Sequence, residues 1–438
     1  MVNSIPRAHQ TLGEPFEFGL NPIAHQFKIF WANETPPKNA IWSTLSQAFV
    51  ELCNKNGAEA YGLLTSLASD CFDLEAPSSV SMRYSYWLGL ARYLMAGPTK
   101  GQKSYALYRE AADFMRRAWS IARDGNDIPS LVTIARMIGE AEHNAMGYDQ
   151  ARSEFQMALT TLLCYPLADL LMQTRVEIFL RSRLARQQFM LGEFTNALDN
   201  IERARQLRRP IAGPGMSDRD RAFEEWMEAL VIRGQSDACG SDLPLLRDAM
   251  RLFKRAEGRL SDPQLRMSLL RLMIQIAETH LDIADCYRRL GKPQTFKYNM
   301  AQADIYAFKV AAELDPSDDS GQDMVKMTIL RHELLSYDPA QLAALSAAIR
   351  SGDYGDKDSE MRFVAPQLYE IEVKALAKEN YLIAARAMTL RADYLYAGRS
   401  NYAALYVYYA ALEMFERAGA RGESGRARLG VRRILDLV

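Results

Sequence analysis

The chain has 438 residues, which is ample for a large buried core, and its formal net charge is −1. A charge this close to zero removes the simplest electrostatic argument for a dedicated nucleic-acid or membrane-surface binder. No apolar run reaches about 18 residues, and the first residues lack the charged-then-apolar order of a secretory signal, so we expect neither a membrane span nor export. The five cysteines are scattered without a CxxC pair, which favours ordinary buried thiols in the reducing cytoplasm.

Residues 1–40 are rich in both proline and aromatic side chains. The aromatic residues are Phe16, Phe18, Phe27, Phe30 and Trp31. Disordered tails are usually poor in aromatic residues, so we predict an N-terminal strap whose rings pack onto the first helices. The alternative is a segment that becomes ordered only in a dimer or with a partner.

The stretch AGPTKGQKSYALYREAADF (96–114) resembles a phosphate-binding loop at first sight. Such a loop needs a glycine, four residues and then Gly-Lys-Ser/Thr, because backbone N–H groups must wrap the phosphates and the lysine must reach them. Here only three residues separate Gly97 from Gly101, and Gln102 stands where the glycine before Lys103 should be. The preceding residues also have the spacing of a helix rather than a strand. We therefore predict a turn between two helices.

An internal repeat is clearest in TRVEIFLRSRLARQQFMLGEFTNALDNIERARQL (174–207). This segment predicts a helix, a break at Gly192 and a second helix with Ala197, Ile201 and Ala204 on one face. Small residues at the first and third places allow two helices to approach closely, and the middle residue fills the groove between them.

The same small–apolar–small stripe recurs along the chain, at intervals that average about 49 residues between Ala60 and Ala403. The other copies are Ala60–Leu64–Leu67, Ala111–Met115–Ala118, Ala151–Phe155–Ala158, Ala249–Phe253–Ala256, Phe296–Met300–Ala303, Ala340–Ala344–Ala347 and Ala403–Val407–Ala410. Eight stripes at similar intervals indicate a repeat architecture, in which stacked helix pairs build one continuous core.

The pattern resembles the tetratricopeptide-repeat (TPR) family, whose repeats place a breaker, an aromatic residue and an Ala–apolar–Ala stripe in this order. LGEFTNALDNIERA matches it from Gly192 to Ala204, and MGYDQARSEFQMAL matches it with one residue missing from the turn. The spacing exceeds the family's repeat of about 34 residues, so the resemblance is to a divergent, longer-helix branch. It implies an all-α fold, a right-handed superhelix of about eight stacked antiparallel helix pairs, with 16 to 18 helices in all.

We predict four segments from these patterns. They are the strap at 1–40, the N-terminal half of the solenoid at 41–208, a Pro/Gly loop at 209–220 and the C-terminal half at 221–438. The last half ends in six arginines between Arg417 and Arg433, which favours a capping helix with a polar outer face. A patch for phosphate or an anionic partner is the alternative.

No motif in the sequence predicts catalysis, a metal site or a bound cofactor. The five histidines have no second histidine or cysteine at i+3 or i+4 that could share a metal ion. DPSDDSGQD looks like the start of a calcium loop, but Ser320 and Lys326 occupy the positions that need glycine and glutamate.

The predicted functional surface is the concave face that the first helix of each pair lines, where a peptide can lie. The candidate partner-binding residues are Arg136, Glu140, His143, Arg183, Arg186, Phe189, Asp285 and Arg288. Arg183 and Arg186, with Arg175 and Arg181 nearby, form a cationic stripe suited to acidic side chains or a terminal carboxylate. The alternative is that such arginines pair with Glu177, Glu193 and Glu202 and only solvate the face.

The leading functional hypothesis is a non-enzymatic scaffold or adaptor for a protein or peptide with acidic groups, able to form a homo-oligomer. The first alternative is a ligand-gated regulator of the TPR type. The second is an Arg-rich, nucleic-acid-associated or particle-forming helical protein. Near-zero net charge disfavours nucleic acid without removing it.

Overall fold

The computed structural model describes most of the chain. The described residues are 40–67, 78–99, 102–167, 169–209, 218–260, 262, 265–316, 318–337 and 364–437. The predicted strap, except its last residue, lies outside them, as do the predicted Ala340–Ala347 stripe and residues 210–217 of the Pro/Gly loop.

The described residues form 17 α-helices and one short 3₁₀ helix at Arg421–Glu423, without a strand, so the predicted all-α class is confirmed. The α-helices are α1 (Ala40–Cys53), α2 (Gly57–Thr65), α3 (Ser78–Ala96), α4 (Gln102–Asp124), α5 (Ile128–Asn144), α6 (Tyr148–Cys164), α7 (Leu170–Leu191), α8 (Phe194–Arg208), α9 (Asp218–Ala238), α10 (Leu243–Arg259), α11 (Arg266–Arg289), α12 (Pro293–Glu313), α13 (Asp319–Ser336), α14 (Val364–Ala377), α15 (Tyr381–Ala397), α16 (Asn401–Arg417) and α17 (Gly425–Leu435). None of these helices is long and apolar enough to cross a membrane.

Helices that follow one another along the chain pack as antiparallel pairs. The most extensive pairings join α3 to α4, α5 to α6, α9 to α10, α11 to α12 and α15 to α16. The predicted stripes line these contacts: Met115, Phe155 and Phe253 are completely buried. The second helices α4, α6 and α10 therefore bury their stripes against neighbouring helices, as the spacing of the stripes predicts.

Several turns between paired helices contain one left-handed residue at a fixed distance before the stripe. In the α7–α8 turn Gly192 has a φ of 79°, and Met146 takes the same place in the α5–α6 turn with a φ of 63°. The stripe begins five residues later in both cases, at Ala197 and Ala151. The residue that we expected to be missing from the second turn is therefore present, and its glycine, Gly147, stands one position later.

The stripe predicted at Ala403 is wrong by one residue. On α16 the buried small–apolar–small set is Ala404, Tyr408 and Ala411. The left-handed residue of the preceding turn is Arg399, with a φ of 57°, and five residues after it comes Ala404. The sequence pattern misled because glycine, the usual left-handed residue, lies one position earlier in this turn.

The described helices divide into two compact units. The first comprises the described residues up to 187 together with 199–209, and the second comprises residues 188–198 together with those from 218 onward. Each unit has its own core, with Tyr84 and Phe155 in the first and Phe253 and Leu272 in the second. The predicted domain boundary at 209–220 stays a prediction.

Residues 97–99, directly after α3, form a turn, as predicted. α3 ends at Ala96 and α4 begins at Gln102, so Lys103 and Ser104 lie in the first turn of a helix. The Ser104 hydroxyl donates a hydrogen bond to the carbonyl oxygen of Ala96, at 2.9 Å, and closes the connection.

The described cysteines are only partly the buried thiols that we expected. Cys53 and Cys286 are buried, whereas Cys164 and Cys239 are exposed because they lie at helix ends that face solvent. Burial raises the pKa of the Cys53 thiol to about 11, which keeps it protonated at neutral pH.

Candidate partner-binding surfaces

Helices α5 and α7 of the first unit bring five of the predicted partner-binding residues together. Arg136, Glu140 and His143 lie on α5, and Arg183 and Arg186 lie on α7. Nε of Arg183 is 2.6 Å from Oε1 of Glu140, and these side chains are 19 % and 12 % exposed. The predicted cationic stripe is thus partly buried, and the Glu140 carboxylate of α5 lies within it.

Two guanidinium groups share the ring of Phe179 on α7. The central carbon atoms of the Arg136 and Arg183 guanidinium groups lie 5.0 and 4.9 Å from the ring centroid, within the range of cation–π attraction. Arg136 is almost fully buried, and burial lowers its pKa. Ring and carboxylate together hold both arginines at defined positions on this face.

His143 closes the same face toward the end of α5. Its Nδ1 atom is 3.0 Å from Oε1 of Gln187 on α7, and its ring centroid is 5.3 Å from that of Tyr148. Burial lowers the pKa of His143 well below its ordinary value, and the charge of Arg186 lowers it further. His143 is therefore neutral at physiological pH, and the cations of this face are arginines.

Arg181, next to this face, follows the alternative prediction that arginines pair with nearby acids. Its Nε atom donates a hydrogen bond to Oε1 of Glu177 at 2.8 Å, and its Nη1 atom donates another to Asn200 at 3.1 Å. Part of the predicted cationic stripe thus joins helices within the first unit.

The remaining predicted residues belong to the second unit. Asp285 and Arg288 are one turn apart on α11, with 2.9 Å between Oδ1 and Nη2. Phe189 is only 7 % exposed, and its ring centroid lies 6.3 Å from that of Phe194. The structure therefore places Phe189 in packing between helix ends rather than on a surface, because the α7–α8 turn folds its ring inward.

A buried cluster of charges in the second unit was not predicted. Asp282 on α11 lies 2.9 Å from Nε of Arg233 on α9, and it also binds Arg331 on α13. Burial alone would raise the pKa of Asp282, but Arg331 and Arg233 outweigh burial and lower it. The nearby Asp237 on α9 has its pKa raised to about 7 by burial and by the charge of Asp282.

The C-terminal helix α17, which is the predicted Arg-rich helix, is tied into this cluster. Nη2 of Arg426 lies 2.6 Å from Oδ2 of Asp393 on α15, and its Nη1 lies 3.9 Å from Oδ1 of Asp282. Just before α17, Glu423 binds Arg386 of α15. α17 thus packs against α9, α15 and α16 and covers charged side chains of their inner faces.

Two helices of this unit, each the second of its pair, expose rows of large apolar side chains. On α16, Tyr402, Tyr406 and Tyr409 are 86 %, 78 % and 51 % exposed. Their spacing of four and three residues puts them on one helix face. We call these three residues the tyrosine row. The second row, on α12, contains Tyr298, Ile305 and Phe308, each about three-fifths exposed.

Comparison with known proteins identifies the fold. No protein-family model and no curated protein matches the sequence. The apo form of the quorum sensor NprR from B. thuringiensis superposes with a TM-score of 0.52 at 10 % identity, covering 90 % of this chain and 92 % of that one. The chain has a TPR-like all-α solenoid fold.

Two more solved structures resemble this TPR-like solenoid. Aspartyl phosphate phosphatase F from Bacillus subtilis gives a TM-score of 0.44 at 11 % identity, covering 87 % of this chain and 95 % of that one. A Rap protein in complex with competence and sporulation factor gives 0.40 at 13 % identity, covering 91 % and 97 %.

Two features were not predicted from the sequence, the tyrosine row and the buried cluster around Asp282. The sequence contained a readable signal for the first of them. Tyr402, Tyr406 and Tyr409 have a readable helical spacing, but the one-residue error in the α16 stripe obscured which face was buried. Asp282 stands among buried apolar residues of α11, which marks it as unusual. Its partners lie on other helices, so no local pattern could have identified them.

Proposed function

We propose that this protein is a non-enzymatic adaptor that binds a protein or peptide partner. The observation that carries the proposal is the tyrosine row, whose three rings are more than half exposed on one helix face. Tyrosine is enriched in protein interfaces because its ring supplies apolar contact area while its hydroxyl keeps a hydrogen bond. Exposed apolar rows of this kind mark interaction surfaces on soluble proteins.

The face formed by α5 and α7 is the second contact surface of the proposal. Arg183, held there by Phe179 and Glu140, is the proposed contact for acidic groups of a partner. Arg136 is almost fully buried and shares the Phe179 ring with it. Asp285 and Arg288 remain proposed contacts in the second unit. The proposal includes a cytoplasmic location and a homo-oligomer as one way of covering the tyrosine row.

Partner capture tests the proposal. The tagged chain is purified from its own cells with and without nuclease, and the recovered proteins are quantified by mass spectrometry. Tyr402→Ser combined with Tyr406→Ser should lower recovery of the partner by about tenfold or more, because buried interface tyrosines commonly contribute on the order of 1–2 kcal/mol each.

The matched control is Tyr165→Ser, which removes a tyrosine that is 56 % exposed directly after α6 and lies outside the tyrosine row. It should leave capture unchanged, and both variants should melt like the wild type. Equal capture by the tyrosine-row variant and the wild type would count against the proposal. Recovery of nucleic acid that disappears with nuclease would favour the nucleic-acid alternative instead.

A further inference from the structure

A cavity beside α17 gathers three arginines of the Arg-rich terminus. Its volume is about 510 Å³, which lies within the range of roughly 300–1,000 Å³ typical of ligand pockets. It opens between the α7–α8 turn, the end of α9 and the first turns of α17. Its lining includes Arg421, Arg428, Arg432, Leu191, Phe194 and Leu429.

The three arginines of the cavity differ from others in this terminus. Arg421, Arg428 and Arg432 are exposed and form no ion pair with any described residue. By contrast, Arg417 pairs with Glu413 at 2.7 Å, and Arg426 is held by Asp393. Three positive charges therefore converge on a cavity whose lining contains no carboxylate.

The geometry of the arginines suits a single compact anion. Arg428 and Arg432 are one turn apart on α17, so their side chains lie on the same side of the helix. Arg421 approaches from the 3₁₀ helix that precedes α17. A guanidinium group can hold a carboxylate through two parallel hydrogen bonds, and the N-terminal end of α17 adds a favourable dipole.

The other part of the lining is apolar, which narrows the ligand class. Leu191, Phe194 and Leu429 provide a hydrophobic surface next to the arginines. A nucleic-acid strand would present further phosphates, and the lining has no basic side chain beyond the three arginines to meet them. A peptide carboxylate next to an aliphatic side chain satisfies both parts at once.

The wall of the cavity is made by closely packed backbone. A Cβ atom at Gly422 would lie 1.8 Å from the carbonyl oxygen of Phe189, so the 3₁₀ helix touches the α7–α8 turn directly. The adjacent Gly192 has a φ of 79°, a conformation that glycine adopts without strain. Backbone contact of this kind forms the cavity before any ligand arrives, which lowers the entropic cost of binding.

We infer that this cavity binds a peptide carboxylate adjacent to an apolar side chain, with Arg421, Arg428 and Arg432 around the carboxylate. The inference rests on the proposed function and deepens it, since it gives the partner's chemistry. Leu191, Phe194 and Leu429 receive the apolar side chain.

The full-length chain is titrated with acetyl-Ala-Ala-Leu bearing a free C-terminal carboxylate, and with the same peptide as its C-terminal amide. Binding is followed by NMR shifts or calorimetry. The acid should bind about tenfold or more tightly than the amide, since a charge-assisted bidentate contact is lost in the amide. Arg428→Gln combined with Arg432→Gln should weaken binding of the acid by a similar factor.

The control is Arg417→Gln, which removes an arginine of the same terminus whose side chain pairs with Glu413. It should bind the acid like the wild type. Equal binding of acid and amide, or equal binding by the Arg428/Arg432 variant and the wild type, overturns the inference. Binding of inorganic phosphate or a short single-stranded DNA in place of the peptide acid also overturns it.

The two proposals fail separately. Partner capture that depends on the tyrosine row, together with no peptide binding by the cavity, overturns the cavity inference alone. The adaptor proposal is tested separately with the Tyr402/Tyr406 variant, because neither residue lines the cavity.

Discussion

Asp237 and Asp282 are aspartates of the same unit, yet their surroundings shift their pKa values in opposite directions. Burial acts on both and favours the neutral carboxyl. At Asp282 the guanidinium groups of Arg331 and Arg233 outweigh burial and keep the carboxylate ionised. At Asp237 the charge of Asp282 adds to burial, so the pKa rises to about 7.

Asp237→Asn should change how stability depends on pH. The pKa of the Asp237 carboxyl is near 3.8 in the unfolded chain and about 7 in the folded chain. Between these two pH values the folded state therefore binds a proton that the unfolded state has released. Wild-type stability therefore falls as pH rises from about 4 to about 7, and the variant lacks this loss. Relative to the wild type, the variant should gain on the order of 4 kcal/mol across the window, since the pKa values differ by about three units and each unit corresponds to about 1.4 kcal/mol.

Urea unfolding of both proteins at several pH values across that window measures the difference. Asp248→Asn is the control, because its carboxylate is half exposed beside Arg251. A stability difference between Asp237→Asn and wild type that stays constant with pH would show that Asp237 does not titrate in this way.

At the scale of the element, α17 depends on two close approaches made by glycine. A Cβ at Gly430 would lie 2.2 Å from the ring of Tyr408, whose hydroxyl donates to Asp393 at 2.5 Å. Gly422 fits against the backbone of the α7–α8 turn in the same manner. The position of α17 therefore depends on close packing at these two glycines as well as on the ion pair of Arg426.

Gly422→Ala should destabilise the second unit by about 1–3 kcal/mol, because the added methyl group meets rigid backbone rather than a movable side chain. Gly258→Ala on α10 is the matched control, since nothing lies within 4 Å of its added Cβ. The control should be neutral or gain up to about 1 kcal/mol from the lower entropy of its unfolded chain. Thermal or urea unfolding compares the two, and equal midpoints would refute the close contact at Gly422.

At the scale of the element, the register of the stripes shows how much of each helix could be predicted from local apolar spacing. The helix pairs and most stripes could be predicted, because apolar spacing of three and four residues is a property of one helix alone. The errors at Ala403 and at the α5–α6 turn arose where Arg399 and Met146, rather than glycine, are left-handed. Local backbone hydrogen bonds close these turns, from the N–H of Gly147 to the carbonyl of Glu142 and from the N–H of Ser400 to the carbonyl of Leu395. The turns thus keep a left-handed residue even where its side chain does not favour that conformation.

At the scale of the whole molecule, two compact units with separate cores should respond separately to core damage. Phe155 in the first unit and Phe253 in the second are completely buried and occupy the same place in their stripes. Replacing either by alanine should cost about 3–5 kcal/mol of local stability. In repeat architectures each helix pair contacts mainly its neighbours, so the loss should stay within one unit.

Hydrogen exchange measured by mass spectrometry checks this expectation. Phe155→Ala should lower protection mainly in α5 to α7, and Phe253→Ala mainly in α9 to α11. The two variants serve as controls for each other. Uniform loss of protection along the chain in both variants would mean that the two units unfold as one cooperative body.

The amino-acid sequence by itself determined the all-α class, the helix pairs and the small–apolar–small stripes, because these follow from contacts within one helix and its next neighbour. Only the tertiary structure decided which charges meet. Arg233 and Arg331 are each 49 residues from Asp282, and they reach it because three different helices converge there. The carboxylate-free arginine cavity depends likewise on the α7–α8 turn meeting α17. Such convergence depends on how helices pack, which no periodicity along one helix encodes.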